Sequence, residues 1–556
     1  MKLKVLITIS ILLIAIIGCK TKMYSKTYET TDILLTSENG DKLKKHKNIS
    51  FKKGNAEGTV ISIYPDSIKQ EIDGIGTSFT ESSAYVLAHL DVQKRKEVME
   101  KIFGSSGANF SLTRTHIGAC DFSVDGKYSY ADKSGDTELS SFNISEDSNG
   151  FNPKIHKSIK DSSYDLLPMI KEAQEIKKNQ KDSELRIIAS AWTAPYWMKD
   201  IETWYIPGSP KNNWQGTGGS LKPEYVNTYS NYLIKYIDAY KKEGVDIWGL
   251  TPVNEPHGNN GQWESMHFTP KSQSEFVQKH LGPALSKSGN SNVKLLVYDQ
   301  NRDGLEHWAD VIFPADKLSK YIYGVAVHWY ESTFKVYEDI FDKVHKKFPE
   351  YSIIHTEGCI DDLGKDAPNG VTDPIKFKES NWFDNDDFWW NENATDWAYS
   401  VTWEGVKVKD HPAYTPVHRY ARNIIVSLDH WVTGWIDWNI ILDEKGGPNH
   451  VGNFCGAPIM INKETQKVYY TPIYHILSQL SRTIRPGDKA VQTKKEISNL
   501  GKDDLHTCAT VNENNLLSIQ LLNTTKKAIN YKLQIKDQYA EIEIAANSLQ
   551  TVRIKL

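Results

Sequence analysis

Two glutamates of this 556-residue chain follow apolar runs, where an acid and a base could act as a pair. Glu255 lies in Thr251-Pro-Val-Asn-Glu-Pro-His257, and Glu357 lies in Ile353-Ile-His-Thr-Glu-Gly-Cys359. Hydrolysis of a glycosidic bond needs such a pair, because one carboxyl protonates the leaving oxygen while the other attacks or stabilises the anomeric carbon. A separation of about 5–5.5 Å between the two carboxyls leads to retention of configuration. The two glutamates therefore predict a retaining glycoside hydrolase, provided that the fold brings them together.

The neighbours of Glu255 make this pattern more specific than a single glutamate at a strand end, which is usually an ion-pair or loop residue. Asn254 can hydrogen-bond the 2-hydroxyl of a sugar, an interaction that strengthens in the transition state. Pro256 has a fixed φ and can help to hold the turn. The tripeptide Asn254-Glu-Pro256 after a strand thus favours a catalytic role for Glu255.

The elements that would position these residues alternate between strand-like and helix-like patterns. Apolar runs predict buried strands, at residues 186–192, 247–253, 293–298, 323–328 and 352–356. Apolar residues at three- and four-residue spacing predict helices between them, at residues 225–242, 274–285 and 336–347. Such alternation is typical of a parallel sheet with helices outside it, and about eight units close naturally into an α/β fold, the (β/α)8 TIM barrel.

Polar side chains gather at the carboxyl ends of these strands, the face where barrel enzymes place their chemistry. They are Trp192, Asn254, Glu255, Asp299, His328 and Glu357. Two predicted strands separate Glu255 from Glu357. We therefore expect the two glutamates to end barrel strands four and seven and to face each other across the barrel mouth.

The ends of the chain predict a second domain and an export signal. From about residue 488 the period changes to the alternation of half-buried strands, and residues near 61 show the same alternation. We expect a side β-sandwich built from residues 36–70 and 481–556, packed on a catalytic barrel of residues 71–480. The segment 361–396 is polar and aromatic, and we expect it to form a long loop over the barrel mouth.

The first residues predict a lipoprotein signal peptide over residues 1–18. Lys2 and Lys4 precede an apolar run that is too short to span a bilayer, and Ile16-Ile-Gly-Cys19 resembles a lipobox. Cys19 would then carry the lipid, residues 19–35 would form a tether, and Lys20 favours the outer membrane of a Gram-negative bacterium. An ordinary signal peptide is the alternative.

Composition excludes several other functions. The net charge is −4 and there is no basic block, so nothing predicts nucleic acid as a partner. No CxxC pair exists, and we expect no metal and no cofactor. The disulfide state of Cys120, Cys359, Cys455 and Cys508 and the oligomeric state stay open. A tryptophan cluster in a polar context could contribute a carbohydrate surface; its members are Trp382, Trp389, Trp390 and Trp397.

Motifs along most of the chain, from about residue 70 to 490, resemble glycoside hydrolase family 30. They occur in family order at residues 73–80, 117–123, 191–198, 254–256, 328–330, 357–359, 434–439, 446–449 and 453–454. The resemblance implies a (β/α)8 barrel with a side β-domain, Glu255 as acid/base beside Asn254, and Glu357 as nucleophile. It also implies residues that bind the sugar, namely Asp121, Trp192, His328, Tyr330, Trp438 and Asn439.

The substrate is not decided by these motifs. The resemblance implies a glucosylceramidase-type β-glucosidase, with a sphingolipid-like substrate, or an endo- or exo-acting β-1,6-glucanase. A β-xylosidase is a third alternative. A non-catalytic glycan-binding protein would have lost one of the two glutamates, and both are present here.

Overall fold

The computed structural model describes residues 27–556, apart from 213–215, 260, 315–318, 333, 362–364, 367–370, 373–381 and 393–414. The predicted signal peptide, Cys19 and Trp397 lie outside the described residues. Within the described part of the chain, no helix combines the length and apolarity that crossing a membrane requires.

Eight parallel strands close into a barrel, as the alternating pattern predicted. With strands numbered in chain order, they are β5 (Gly74–Phe79), β6 (Leu112–Ile117), β7 (Arg186–Ala191), β8 (Gly249–Thr251), β9 (Lys294–Asn301), β10 (Ile322–His328), β11 (Ser352–Glu357) and β15 (Val432–Asp437). Each strand pairs with the next, and β15 pairs with β5 to close the ring. Six of the strands each contribute one buried apolar side chain to the barrel interior. The barrel is therefore a packed core, and its chemistry is confined to the rim.

Helices cover the barrel and its neighbouring segments. They are α1 (Glu81–Ala88), α2 (Val92–Phe103), α3 (Leu166–Lys178), α4 (Val226–Lys242), α5 (Pro270–Phe276), α6 (Gly282–Lys287), α7 (Leu305–Ile312), α8 (Glu338–Lys347), α9 (Asp386–Trp389), α10 (Pro416–Asp429) and α11 (Pro472–Thr483). The single helix predicted over residues 274–285 is wrong in detail, because a π-helical turn (Val277–Leu281) joins α5 to α6.

The β-sandwich is built from both chain ends, also as predicted. Its strands are β1 (Thr30–Ser37), β2 (Lys44–His46), β3 (Lys52–Lys53), β4 (Val60–Glu71), β20 (Lys489–Glu496), β21 (Leu505–Val511), β22 (Leu516–Asn523), β23 (Ile529–Ile535), β24 (Gln538–Ile544) and β25 (Ser548–Lys555). Ile33 and Ile61 from the N-terminal part pack in one core with Leu517, Leu533 and Val552. Burying apolar side chains from both ends is what holds the two sequence segments together.

The first sandwich strand limits the predicted tether. β1 pairs with β25 from Thr30 onward, and Leu35 is 4% exposed. A tether to residue 35 is therefore wrong at its C-terminal end, because residues 30–35 are already part of the sandwich. Its remaining described residues, 27–29, precede the first strand.

Helix α11 connects the sandwich to the barrel through side-chain hydrogen bonds. The Gln479 side chain accepts a hydrogen bond from Thr36 (2.7 Å) and donates to Thr551 (3.0 Å). One glutamine thus contacts β1 and β25 together. Because all three side chains are buried, these bonds satisfy polar groups at the domain junction.

Short strands complete the rim of the barrel. They are β12 (Ile360–Asp361), β13 (Lys365–Asp366), β14 (Val371–Thr372), β16 (Ile441–Asp443), β17 (Cys455–Gly456), β18 (Ile459–Asn462) and β19 (Lys467–Tyr470). β12 pairs with β17, which joins the segment after Glu357 to the segment after Asn453.

Candidate active site

Glu255 and Glu357 meet at the carboxyl end of the barrel. Glu255 follows β8, the fourth barrel strand, and Glu357 ends β11, the seventh, as predicted. One carboxyl oxygen of Glu255 lies within 4.8 Å of one carboxyl oxygen of Glu357. This separation is close to that of carboxyl pairs in retaining glycosidases and is too short for an inverting pair.

The carboxyl group of Glu357 is held by two donors. Arg114 Nη1 donates to Oε2 at 2.5 Å, and the Tyr330 hydroxyl donates to Oε1 at 3.1 Å. Burial raises the pKa of Glu357 above its usual value, and the charges of His328 and Arg114 oppose that rise. Because a donor faces each oxygen, the carboxylate form fits this site and its orientation is fixed.

Arg114 connects the two halves of the catalytic pair. It projects from β6, has no exposed side-chain surface, and donates from Nη2 to Asn254 (2.6 Å) and Asp299 (2.8 Å). The same guanidinium therefore orients the nucleophile candidate and the asparagine next to Glu255. A planar fork with fixed donors can do this, whereas a single ammonium cannot.

Asp299 is a buried anion beneath the two glutamates. Five donors reach its carboxylate, namely Arg114, Ser190, Thr251, His328 and Thr356. Although burial acts against it, the charge of Arg114 and the hydrogen bond from His328 hold the pKa of Asp299 below its usual range. Asp299 is thus a permanent negative charge that anchors its two cationic neighbours.

His328 lies between Asp299 and Glu255. Its Nε2 is 3.1 Å from Asp299 Oδ1 and its Nδ1 is 3.2 Å from Glu255 Oε1. Although burial lowers the pKa of His328, the charge of Glu357 and the hydrogen bonds to Asp299 and Glu255 raise it to about 10. At neutral pH both ring nitrogens therefore carry protons, and Glu255 has a cationic donor on one side.

Left-handed backbone conformations occur where the site is built. The non-glycine residues Glu255 (φ 47°) and Asn439 (φ 65°) follow β8 and β15, and Asp299 (φ 62°) lies near the C-terminal end of β9. Each such conformation costs on the order of 1–3 kcal/mol and persists only where its surroundings enforce it. Backbone bonds do so here, since Glu255 N–H donates to Asp299 O at 2.9 Å.

A cavity of about 200 Å³ opens above the two glutamates. Asp121 lines one side, and the rings of Trp192 and Trp438 stack against each other at 5.4 Å on another. The Trp192 indole N–H has no partner among the described residues, so it can donate to a sugar hydroxyl. The volume lies below the roughly 300–1,000 Å³ of pockets for drug-sized ligands. The cavity therefore suits one sugar ring.

Asp121 lines this cavity and can accept hydrogen bonds from sugar hydroxyl groups. Its Oδ2 accepts a hydrogen bond from Asn453 Nδ2 at 3.2 Å. Burial, followed by the charges of Glu357 and Glu255, raises the pKa of Asp121 well above its usual value. An oxygen acceptor and an amide donor side by side match the hydroxyl pattern of a sugar.

The predicted site residues separate into two groups. Asp121, Trp192, Asn254, Tyr330 and Trp438 line the cavity together with the two glutamates. His328 and Asn439 do not line it. Both are completely buried, and Thr80 donates to the Asn439 side chain at 2.8 Å. Their predicted contact with the sugar therefore stays a prediction.

Sequence reasoning did not find Arg114, and it gave no role to Asp299, which it placed at the catalytic face, or to Asn453, which it placed in a family motif. Arg114 and Asp299 form the buried charge network, and Asn453 contacts Asp121. A signal for Arg114 was present, because a charged residue inside the buried strand Leu112–Ile117 needs a charged partner.

The tryptophan cluster is mainly core. Trp382 is 3% exposed, Trp389 is completely buried, and their rings lie parallel at 6.2 Å. Their indole N–H groups donate to backbone carbonyls, of Glu444 and Trp382 respectively. The prediction of a sugar-binding surface is therefore wrong for these two residues, while Trp390 is half-buried against the core.

Glu255, His328 and Glu357 also form the one set in the described part of the chain whose ligand-type atoms could surround a metal ion. Both nitrogens of His328 face carboxylates, so both act as N–H donors and neither offers a lone pair. The arrangement fits proton transfer better than metal binding.

Known protein families match the two domains separately. Residues 72–402 and 394–484 match the glycosyl hydrolase family 30 TIM-barrel domain, and residues 489–552 match the glycosyl hydrolase family 30 beta sandwich domain. Together these matches cover most of the chain.

Individual relatives agree with the family matches. The lysosomal acid glucosylceramidase of Mus musculus is 28% identical over 480 residues, covering 85% of this chain and 78% of the mouse protein. The endo-1,6-beta-D-glucanase of Neurospora crassa is 29% identical over 429 residues, covering 76% of this chain and 72% of the Neurospora protein. The crystal structure of SrfJ from Salmonella typhimurium has the same fold, with a TM-score of 0.75 and 21% identity over 95% of this chain and 99% of that one.

Proposed function

This chain belongs to glycosyl hydrolase family 30, and on that premise we propose that it is an exo-acting β-glucosidase that works with retention. Its glycoside hydrolase activity follows from the family. The exo mode is supported by one observation above all, the small volume of the cavity, about 200 Å³, which Asp121, Trp192 and Trp438 help to line. A terminal sugar ring fits such a cavity, whereas an internal unit of a chain needs an exit on both sides.

The proposed reaction has two steps that use the glutamates in turn. Glu357 attacks the anomeric carbon while Glu255 donates a proton to the leaving oxygen, which forms a covalent glycosyl-enzyme. Glu255 then removes a proton from water, and that water displaces Glu357 from the sugar. Both steps invert the anomeric carbon, so the product keeps the β configuration.

The surrounding charges support these roles. Arg114 and Tyr330 hold both oxygens of Glu357, which suits a nucleophile that must be ionised and fixed. Glu255 is 16% exposed in its side chain and contacts His328, which suits a group that exchanges protons with solvent and leaving group. Asn254, held by Arg114, lies beside Glu255 at the position expected to bind the 2-hydroxyl.

A β-1,6-glucanase is the second candidate, and a specific feature favours it. A groove of about 1,140 Å³ runs along the segment that follows Glu255, and it shares Gly258 and Asn259 with the sugar cavity. The leaving group departs on the side of Glu255, so this groove could receive further sugar units. The relatives named glucosylceramidase and endo-1,6-beta-D-glucanase fit the two candidates equally well.

Hydrolysis of three substrates separates the candidates. Purified protein is incubated with an aryl β-glucoside, an aryl β-xyloside and a linear β-1,6-glucan, and the products are separated by size. We expect single glucose from the aryl glucoside, with the β anomer formed first in proton NMR spectra. Oligosaccharides from the glucan without aryl activity would assign the glucanase instead, and turnover of the xyloside alone would assign a xylosidase.

Matched variants test the roles of the glutamates. Glu357→Gln and Glu255→Gln change one atom each, and Glu243→Gln changes a surface ion pair with Lys171. We expect the first two to lose activity on the aryl glucoside while Glu243→Gln keeps it. Full activity of Glu357→Gln would exclude this residue as the nucleophile.

For the chain's location, we propose export and lipidation at Cys19. The support is the lipobox-like sequence that ends at Cys19. In a bacterial host, the protein should incorporate a labelled fatty acid and fractionate with the outer membrane, and Cys19→Ser should do neither. Labelling of the serine variant would contradict the proposal.

A further inference from the structure

We propose that His450, paired with Glu264, is a positioning residue that holds the sugar-binding loops of the active site in place. The inference rests on the proposed function, because the inference takes Asp121 and Asn453 to bind the sugar of the glycoside substrate. Three segments are involved: residues 118–129 after β6, residues 252–259 with 261–269 after β8, and residues 444–454 between β16 and β17. His450 joins all three without lining the sugar cavity.

The contacts of His450 form a bridge between the segments. Its Nδ1 lies 2.9 Å from the carbonyl oxygen of Ser123, and its Nε2 lies 3.1 Å from Glu264 Oε2. Its backbone N–H also donates to the Ser123 carbonyl at 3.1 Å. Glu264 in turn accepts a hydrogen bond from the backbone N–H of Lys127 at 2.6 Å, which closes the bridge on the first segment.

Both nitrogens of the His450 ring face groups that only accept hydrogen bonds, a carbonyl and a carboxylate. The ring therefore has to carry both protons, which makes the bridge a charge-assisted one. Glu264 has no exposed side-chain surface, and His450 has 10%. Burial acts to lower the pKa of His450, but the hydrogen bond and charge of Glu264 outweigh it and raise the pKa.

The bridge leads directly to the residues that line the cavity. Ser123 closes a turn with Cys120, through Ser123 N–H to Cys120 O (3.0 Å) and Cys120 N–H to Ser123 Oγ (3.1 Å). Asp121 lies inside that turn. Three residues after His450, Asn453 donates to Asp121. A shift of His450 would therefore move the acceptor Asp121 and the donor Asn453 relative to each other.

The ring of His450 is also packed tightly. A Cβ atom built on Gly126 would lie 2.3 Å from the ring, and Gly126 has a φ of 67°. Only glycine allows both the backbone conformation and the approach of the ring. Gly126→Ala should therefore displace His450 without altering any ionisable group.

Enzyme kinetics on the glycoside that the unmodified protein hydrolyses test the proposal. His450→Ala removes the bridge, Glu264→Gln removes its charge, and His450→Gln keeps a donor. The matched control is His430→Ala, since His430 is paired with Asp342 at 3.0 Å on the outer helices.

We expect His450→Ala to lower kcat/KM by about tenfold or more, the scale of one charge-assisted hydrogen bond. Most of the change should be in KM, because the sugar contacts exist before the transition state as well as in it. His450→Gln should recover part of the loss, and the control should match the unmodified protein. The double variant of His450 and Glu264 should be no worse than the worse single variant, since one bridge is lost in each.

Hydrogen exchange gives a result that does not depend on catalysis. Peptides covering residues 118–127 and 449–454 should exchange faster in His450→Ala and Gly126→Ala, with no change in the sandwich strands. Unchanged KM together with unchanged exchange in these two segments would overturn the proposal. A protein that is inactive on every glycoside but shows the expected exchange would instead contradict the proposed function and leave the bridge established.

Discussion

Replacing Arg114 by lysine would separate the charge of this residue from its geometry. Arg114 Nη1 binds Glu357, and Nη2 binds Asn254 and Asp299. Lysine keeps the positive charge beside the two carboxylates but has a single ammonium that cannot occupy both positions. The hydrogen bond that the lysine variant should lose is the one to Glu357, which lies at the far end of the guanidinium from Asp299.

The size of the effect follows from that one bond. A hydrogen bond to a charged group contributes about 1.5–3 kcal/mol. If it is lost where Glu357 must be aligned for attack, kcat should fall by roughly 10- to 150-fold, since about 1.4 kcal/mol corresponds to a factor of ten. KM should change little, because Arg114 does not line the sugar cavity.

Arg114→Met serves as the comparison, because it removes the charge as well. Asp299 and Glu357 would then share His328 as their one remaining cationic contact among the described residues. Breaking a buried ion pair by removing one partner costs about 3–5 kcal/mol.

The assay is kcat and KM on an aryl β-glucoside together with the midpoint of urea unfolding. We expect the lysine variant to lose kcat but to unfold near the unmodified protein, and the methionine variant to lose both activity and stability. A lysine variant with unchanged kcat would refute the argument that the fork aligns the nucleophile. Equal loss of stability in both variants would refute the separation of charge from geometry.

Three further predictions follow from the site. The pKa of His328 is raised to about 10 from an unfolded value of 6.5, so its contribution to stability is complete below pH 6.5 and is lost as pH rises through 10. The unfolding free energy should decline across that range, and His328→Gln should remove this decline. In the Glu255→Ala variant, added azide should restore turnover of an aryl glucoside with a good leaving group, since a small anion can enter the space of the lost carboxylate. The expected product is a β-glycosyl azide, and an α-glycosyl azide would contradict retention. The sulfur atoms of Cys359 and Cys455 lie 3.1 Å apart, so mild oxidation should cross-link them, and mass spectrometry after alkylation should detect the linked peptides but no cross-link involving Cys508.

The strand pattern predicted the barrel because parallel strands buried on both faces leave a strong apolar signal. The runs that end near Asn254, His328 and Glu357 became β8, β10 and β11 within a few residues. Since the carboxyl ends of barrel strands share one rim, the order of the strands was enough to bring the two glutamates together.

Side-chain direction was harder to predict than element type. Trp382 and Trp389 lie in a polar stretch of sequence, yet their rings stack inside the core and their indoles bond to carbonyls. Composition records which residues occur but not which way they point. For the same reason His328 was expected to line the cavity, but it is completely buried and does not line it.

Long-range polar pairs leave almost no local signal. His450 and Glu264 are 186 positions apart, and neither lies in a periodic segment that would predict its partner. The π-helical turn Val277–Leu281 was equally hard to predict from the sequence, because it changes the spacing of apolar residues along the helix very little.

The asymmetry between the two glutamates can be derived from their neighbours without reference to any relative. Glu357 is 7% exposed in its side chain, and its two oxygens are occupied by Arg114 and Tyr330. Glu255 is 16% exposed, its side chain contacts His328, and the chain after it borders the wide groove. A nucleophile gains from fixed alignment, whereas an acid/base must reach both the leaving oxygen and an incoming water. The fold therefore supports the proposal of different roles for two chemically identical side chains, because β11 places one among donors and β8 leaves the other at an opening.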